Sequence, residues 1–261
     1  MNDSSVKSAA RVLDLLELLS VTDHALGVSD VSRRLGIPKS SAAMLLATLE
    51  KRGYVVGDRN RQFSLPPAFT GEGSYVGGIY AVLRRLARPA MHALVEATGE
   101  SSFLGILTPS LQLQYIDKAL STNEVRYDTD ISIPRALHCT SVGMVLLAHL
   151  PEPEIERFMR HADLEKRTTE TISEGAALRA ELAQIRERGY ACARDTNAVG
   201  VAGFAAPLFG WDGTIVAGLN ISAPTLRFDQ KRDPMRSALL EQAGAVNEAF
   251  SRLRLRSAAA D

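Results

Sequence analysis

Between positions 31 and 63 the chain carries Arg33, Arg34, Lys39, Lys51, Arg52, Arg59 and Arg61 against only Glu50 and Asp58. A basic stretch of this density attracts a polyanion, because each cation that meets a phosphate releases a condensed counterion. Lys39, Ser40 and Ser41 stand together, and Met44 and Thr48 follow at helical spacing. An ammonium, short hydroxyls and an apolar side chain are groups that reach phosphates, base edges and thymine methyls. A second set lies downstream: His138, Thr140, Ser141 and Gly143, then Asp195, Gly203, Asn220 and Ser222, with Arg126 and Arg135 ahead of them. Hydroxyls, amides and a helix entry suit a small anion, and a guanidinium fork grips a carboxylate.

The first set needs helices to present it. Val6, Ala9, Ala10, Leu13, Leu16 and Leu19 recur at three- and four-residue spacing, which predicts a helix to about Ser20. Ser29 fits an N-cap before Asp30, and Gly36 stops a short second helix. Ile37-Pro38 then forces an extended link, and a third helix runs from near Lys39 to Gly53. Within it Ala42, Leu45, Leu46 and Leu49 share one face, while Lys39, Ser40, Ser41, Met44 and Thr48 lie mostly on the other. Tyr54-Val55-Val56, a polar turn Asp58-Arg59-Asn60-Arg61 and Phe63-Ser64-Leu65 predict a hairpin. The order is that of a winged helix-turn-helix. Its third helix enters the major groove, Arg59 and Arg61 at the hairpin tip meet backbone or minor groove, and Arg33 and Arg34 contact flanking phosphates. An ordinary three-helix packing unit is the plainer alternative.

After Pro66-Pro67, the glycines Gly71, Gly73, Gly77 and Gly78 mark a flexible joint, followed by a helix from Ile79 to Thr98 with a kink at Pro89. Strands are expected at Ser101–Thr108, Leu111–Lys118 and Glu124–Ile133. Helices follow at Ser141–Leu150, Glu154–His161 and Ser173–Arg188, the last capped by Ser173 and stopped by Gly189. Further strands cover Tyr190–Arg194, Val201–Phe209 and Thr214–Ser222, with a hairpin signal at Trp211-Asp212-Gly213, and Met235–Leu255 closes as a helix. The fold class is α+β, with a mainly antiparallel sheet flanked by helices. The expected division is a DNA-binding domain over 1–68, a linker and connecting helix over 69–98, and a larger domain over 99–261.

The second set then falls on definite elements. His138, Thr140, Ser141 and Gly143 sit at a helix entry, where helix capping by Thr140 or Ser141 competes with ligand contact. Asn220 and Ser222 alternate with Leu219 and Ile221, so both polar side chains face one side of a strand. Arg126 and Arg135 are candidates for pairing a carboxylate, with plain solvation as the alternative. Asp195 is a candidate for a ligand hydroxyl or for a structural turn.

With 261 residues there is room for a small and a medium domain, and 46% hydrophobic with 23% charged residues excludes both disorder and a membrane class. The net charge of zero hides the local basic cluster. Cys139 and Cys192 are too few for a disulfide framework or a four-ligand zinc site, so neither metal nor cofactor is expected. No leader pattern or long apolar run is visible, which gives a cytoplasmic expectation. Catalytic signatures are absent: Gly71-Glu72-Gly73 places its third glycine at Gly77 rather than at Val76, and neither a nucleophile elbow nor a zinc helix occurs. His138 and Cys139, adjacent in extended chain, point apart.

The run Val28-Ser29-Asp30-Val31-Ser32-Arg33-Arg34-Leu35-Gly36-Ile37-Pro38-Lys39-Ser40-Ser41, followed by Leu45-Leu46-Ala47-Thr48-Leu49-Glu50-Lys51-Arg52-Gly53-Tyr54-Val55, closely resembles the IclR family of bacterial regulators. The resemblance continues through Leu86-Ala87-Arg88-Pro89, His138-Cys139-Thr140-Ser141-Val142-Gly143, Arg188-Gly189-Tyr190, Ala205-Ala206-Pro207 and Asn220-Ile221-Ser222-Ala223-Pro224. It implies a winged helix-turn-helix, a linker helix involved in dimerisation and a GAF-like effector domain that binds a small organic acid. It also implies homodimers or homotetramers on palindromic double-stranded DNA. Four positions depart from the family pattern: Ala43 and Met44 stand where histidine and arginine are frequent, Asn220 where serine is common, and Gly203 where some relatives have cysteine. The glycine run from Gly71 to Gly78 is also unlike the family's helical approach to the linker. A DNA-binding adaptor whose larger domain binds protein instead of a metabolite is the rival reading.

Overall fold

In α1 (Lys7–Ser20) Leu15 and Leu19 are buried while Leu13 is exposed, as a single apolar stripe on a 3.6-residue repeat requires. The chain continues through β1 (Leu26–Gly27), α2 (Val28–Leu35), α3 (Lys39–Lys51), β2 (Val56–Gly57) and β3 (Gln62–Ser64). The computed structural model describes residues 6–20, 22, 24–66, 78–210 and 212–257. Its contacts divide the chain into two compact units, Met1–Arg85 and Leu86–Asp261. The expected joint at 71–77 and Trp211 lie outside the described residues.

In the first unit the three strands order as β1-β3-β2, all antiparallel, and Leu26 lies opposite Phe63. The pairing closes a core of Leu15, Leu26, Val31, Leu46 and Phe63. Strand β1 is too short for a periodic signal, so the sequence showed only a hairpin. Its pairing also sets where α2 begins. The N-cap is Gly27 rather than Ser29, and the Asp30 carboxylate accepts the Gly27 N–H at 3.4 Å.

The second unit holds most of α4 (Gly78–Thr98), which continues past Pro89 as one helix. Then follow β4 (Ser101–Leu107), β5 (Leu113–Ala119), α5 (Ser141–Ala148), α6 (Glu152–His161), α7 (Gly175–Arg188), β6 (Ala191–Arg194), β7 (Val201–Phe209), β8 (Ile215–Pro224), α8 (Thr225–Gln230) and α9 (Arg232–Ser257). The five strands form one antiparallel sheet ordered β5-β4-β8-β7-β6. Every residue of α5 is buried. It approaches the sheet closely because the paired Gly105 and Gly218 present no Cβ to Val142, which such atoms would meet at 2.8 and 2.9 Å. Phe103, Tyr115 and Ala205 face this helix. The neighbouring Phe204 points the other way and meets Phe228 of α8 at 4.8 Å between ring centroids. On that side Asn247 of α9 accepts the Phe209 N–H at 2.8 Å and donates to the Pro207 carbonyl at 3.1 Å. No helix among the described residues is long and apolar enough to cross a membrane.

Two further expectations fail in the second unit. Residues 124–133 are not a strand. Side chains of β5 occupy the hydrogen-bonding role a ladder would fill: Gln114 donates to the Ile131 carbonyl, and Lys118 binds the Asp128 carboxylate at 2.7 Å and the Thr129 carbonyl at 3.2 Å. The adjoining backbone pairing among the described residues is a bridge between Leu113 and Arg135. In α7 the N-cap position falls on Glu174, without a side-chain bond, so Ser173 precedes the first turn and does not cap it.

At the end of α4, Glu100 is fully buried and takes a two-pronged grip from Arg227, at 2.6 and 2.8 Å, with Lys231 at 3.8 Å. Arg227→Met strands this carboxylate among partners that cannot replace the fork. We expect a loss of about 3 kcal/mol in chemical denaturation, the lower end for a broken buried pair because Lys231 remains.

Candidate nucleic-acid interface and ligand cleft

The outer face of α3 carries Lys39, Ser40, Met44 and Thr48 exposed to solvent, with Ser41 half-buried. Met44 is 72% exposed, unusual for a large apolar side chain on a folded surface. The Thr48 hydroxyl donates to the Met44 carbonyl at 2.7 Å, leaving its oxygen as an outward acceptor. At the hairpin tip, Asp58 Oδ1 accepts from the N–H groups of Asn60 and Gln62, both at 2.8 Å. That clamp lifts Arg59 and Arg61 out at the turn, with Arg61 at φ 57°.

The cations expected to meet phosphate are not equivalent. Arg33 is held by Asp30 at 2.5 Å. Arg61 lies over the Phe63 ring at 5.2 Å and stands 3.9 Å from Glu50. Arg34, Lys39 and Arg59 have no ion-pair partner among the described residues, and all three are exposed.

In the second unit a narrow cleft lies between the start of α5, the sheet and the loop after β6. The fold brings Thr140, Ser141, Gly203 and Ser222 to its wall. Asn220 lies behind them, 1% exposed, and ties the wall together. Its amide donates to Ser141 Oγ at 2.9 Å and to the Phe204 carbonyl at 3.1 Å, and its carbonyl accepts from Ser222 at 3.0 Å. Gly203 is required by this arrangement: a Cβ there would stand 2.6 Å from the Ile221 carbonyl oxygen and 2.7 Å from Ser222 Oγ. The missing side chain therefore makes room for neighbouring groups as much as for a ligand.

Thr140 is the N-cap of α5, accepting the Gly143 N–H at 3.1 Å while donating to the Ala136 carbonyl at 3.0 Å. That cap consumes one of the N–H groups the sequence offered to an anion. His138 turns away from the cleft into a separate open recess beside the β4–β5 turn and the end of α6, and its Nε2 meets the Glu165 carbonyl at 3.1 Å. Cys139, its neighbour, lines the cleft, so the two side chains do point apart. Arg126 is exposed on the 123–135 loop, bonded to the Asn123 carbonyl at 3.3 Å. Arg135 is folded onto that loop through Thr129 Oγ1 at 2.5 Å, and neither arginine lines the cleft. Asp195 holds a turn: at φ 60° it accepts from the Gly200 N–H at 2.7 Å and from Thr225 Oγ1 at 2.8 Å.

The cleft is completed by groups the sequence reading passed over, chiefly Tyr115, Tyr127, Cys139, Thr196 and Asn197. Alternation along β5 held the signal for Tyr115, and Tyr127 was hidden in the segment read as a strand. Burial pushes the Tyr115 phenol up, nearby Tyr127 adds to this, and Arg135 opposes it, so the group stays protonated. Burial likewise raises the Cys139 thiol, against the pull of Arg167. Thr196 donates to the Cys139 carbonyl at 2.7 Å, and Asn197 Oδ1 accepts from Arg167 at 3.1 Å. The hydrogens of Thr140, Thr196 and Ser222 are thus committed. Those of Tyr115, Tyr127, Ser141 and the Asn197 amide have no acceptor among the described residues.

Comparison with known proteins follows the same division. Residues 8–59 match the IclR helix-turn-helix domain, and residues 80–251 match the bacterial transcriptional regulator IclR C-terminal domain. The chain is 32% identical over 244 residues to the HTH-type transcriptional regulator BhcR of Paracoccus denitrificans, covering 93% of this chain and 86% of that protein. A crystal structure of an IclR transcriptional regulator from Silicibacter is 27% identical, with a TM-score of 0.65 and coverage of 94% and 96%. The same fold, at 23% identity and a TM-score of 0.67 over 94% of this chain and 99% of the other, occurs in an IclR homolog from Microbacterium hydrocarbonoxydans complexed with 4-hydroxybenzoate. A helix-turn-helix unit with its basic outer face, followed by this antiparallel sheet domain, places the chain in the IclR family of DNA-binding transcriptional regulators.

Proposed function

We propose that this regulator binds a small organic acid in the cleft beside α5 and that occupancy controls its grip on DNA. The observation that carries the reading is the balance of hydrogen-bonding groups there. The uncommitted side-chain hydrogens of Tyr115, Tyr127, Ser141 and Asn197 are all donors, and no side chain that lines the cleft is charged. Three hydroxyls and an amide with hydrogens to donate can hold an acceptor-rich solute by several neutral hydrogen bonds, spreading its negative charge. The sequence's candidate arginines, Arg126 and Arg135, are not needed for this. A family member of the same fold carries 4-hydroxybenzoate, itself a carboxylate.

On the DNA side, α3 enters the major groove with Lys39, Ser40 and Ser41 leading, and Met44 supplies apolar contact to a thymine methyl. The regulator acts as a homodimer or homotetramer on a palindromic operator, since one recognition helix reads only a short half-site. Val6 and Leu13, 67% and 58% exposed and one heptad apart at α1, support self-association of this unit.

Three measurements check this reading. In a thermal-shift panel of pyruvate, lactate, benzoate and 4-hydroxybenzoate beside their amides, at least one acid at a hundredfold excess over its Kd should stabilise the protein by about 2.7 kcal/mol. The matching amide should do less, and a panel in which acids and amides behave alike contradicts the proposal. In anisotropy titrations on operator DNA, Arg34→Ala with Arg59→Ala should lower the slope of log K against log salt by about two, each lost phosphate contact removing roughly 0.9. Arg33→Ala with Arg61→Ala should remove less, because those cations are already partnered. Light scattering should give two or four times the 28.2 kDa chain mass; a monomer at micromolar concentration rules out the assembly.

A further inference from the structure

Three exposed aliphatic residues converge around the first turn of α8: Leu226 is 75% exposed, Val199 80% and Val125 70%. They belong to segments far apart in the chain, and hydrogen bonds draw those segments together. Arg227, next to Leu226, donates to the Val125 carbonyl at 2.8 Å, and the Thr225 N–H donates to the Gly200 carbonyl at 2.9 Å. Single aliphatic residues scattered over a surface are ordinary, whereas several brought to one place mark an interaction site. Thr225 Oγ1 on Asp195 and the Arg227 fork on Glu100 fix the arrangement within the chain, so a partner meets it already ordered.

The charges beside this patch indicate the partner. Val125 stands between Glu124 and Arg126, and all three are exposed. Arg126 donates to the Asn123 carbonyl at 3.3 Å, and neither it nor Glu124 has an ion-pair partner among the described residues. A partner surface of one sign would set one of the two against its like. A two-fold contact satisfies both, because Glu124 of each copy then faces the partner's Arg126. We propose that this patch binds the same patch on a second copy of the chain and is one of two isologous surfaces, which makes the regulator a tetramer. This rests on the self-association reading of α1 and adds the surface it lacks. A closed four-chain assembly of dihedral symmetry uses two different two-fold contacts. Val6 and Leu13 of α1 supply one on the first unit, and the α8 patch supplies the other on the second. Leu226, Val125 and Val199 form the centre that sheds water, while the Glu124 and Arg126 pairs at the rim set register and reject other partners.

The test is light scattering of the full chain at micromolar concentration, where the wild type should show four times the 28.2 kDa chain mass. Arg126→Glu sets carboxylates against carboxylates across the contact, and Leu226→Glu places a charge at its centre, so each should halve the mass to two chains. The double variant Glu124→Arg with Arg126→Glu exchanges the signs in every copy and should regain four chains, which a merely damaged protein cannot do. Single variants that keep the four-chain mass, or a double variant that stays at two, overturn the assignment. A two-chain wild type overturns it while leaving self-association through α1 intact, and a monomeric wild type overturns both.

Discussion

One buried amide organises the C-terminal unit. Asn220 sits on the central strand β8 and reaches α5 through Ser141, β7 through the Phe204 carbonyl, and its own strand through Ser222. Both of its amide hydrogens and its carbonyl are thereby matched, which is what keeps a polar group tolerable at 1% exposure. The bond to Ser141 fixes the first turn of α5 against the sheet, and that turn is one wall of the cleft. The glycines opposite Val142 allow the approach that brings the two hydroxyls within reach. Cleft, helix and sheet are therefore one geometric problem with a single solution, and Gly203 is part of it because any side chain there would occupy the space Ser222 needs.

The opposite side of the sheet is held by ionic contacts around α8. Arg194 pairs with Asp229 through two bonds at 3.1 and 2.8 Å, Thr225 binds Asp195, and Arg227 grips Glu100 at the end of α4. The loop that walls the cleft and the end of α4 thus share one short anchoring element. The carboxylate of Glu100 is the costly member, fully buried and stable only while Arg227 remains in place. Arg227 extends the same grip to the Val125 carbonyl at 2.8 Å, steadying the loop that carries Tyr127.

At the DNA-binding surface, formal charge alone misjudges which residues are available. The basic cluster contains partnered and unpartnered cations in close sequence neighbourhood, and the difference arises from Asp30 and Glu50, the acids within reach. An arginine engaged with an acid must break that contact before it meets phosphate, so Arg34, Lys39 and Arg59 are the better placed. On the proposed reading, the exposed Met44 brings apolar contact and DNA shape into recognition alongside hydrogen bonding.

By itself the sequence determined the element order, the helix-turn-helix with its polar outer face, the antiparallel α+β class and the family. These follow from periodicity, glycine and proline stops and local charge, all of which act over a few residues. It also marked Asn220 and Ser222, because a polar pair alternating along an apolar strand is visible in one dimension, Thr140 and Ser141 as a helix entry, and Gly203 through the family resemblance. Only the tertiary structure decided the rest. Strand β1 exists because β3 is there to pair with it, and residues 124–133 are a loop because Gln114 and Lys118 take up their backbone and side chains. Arg126, Arg135, His138 and Asp195 are chemically apt but are directed elsewhere by loop and turn contacts. Tyr115 and Asn197 enter the cleft through non-local packing. Which way a side chain faces, and whether its hydrogens are already committed, depends on partners distant in the chain, and composition and spacing carry no record of them.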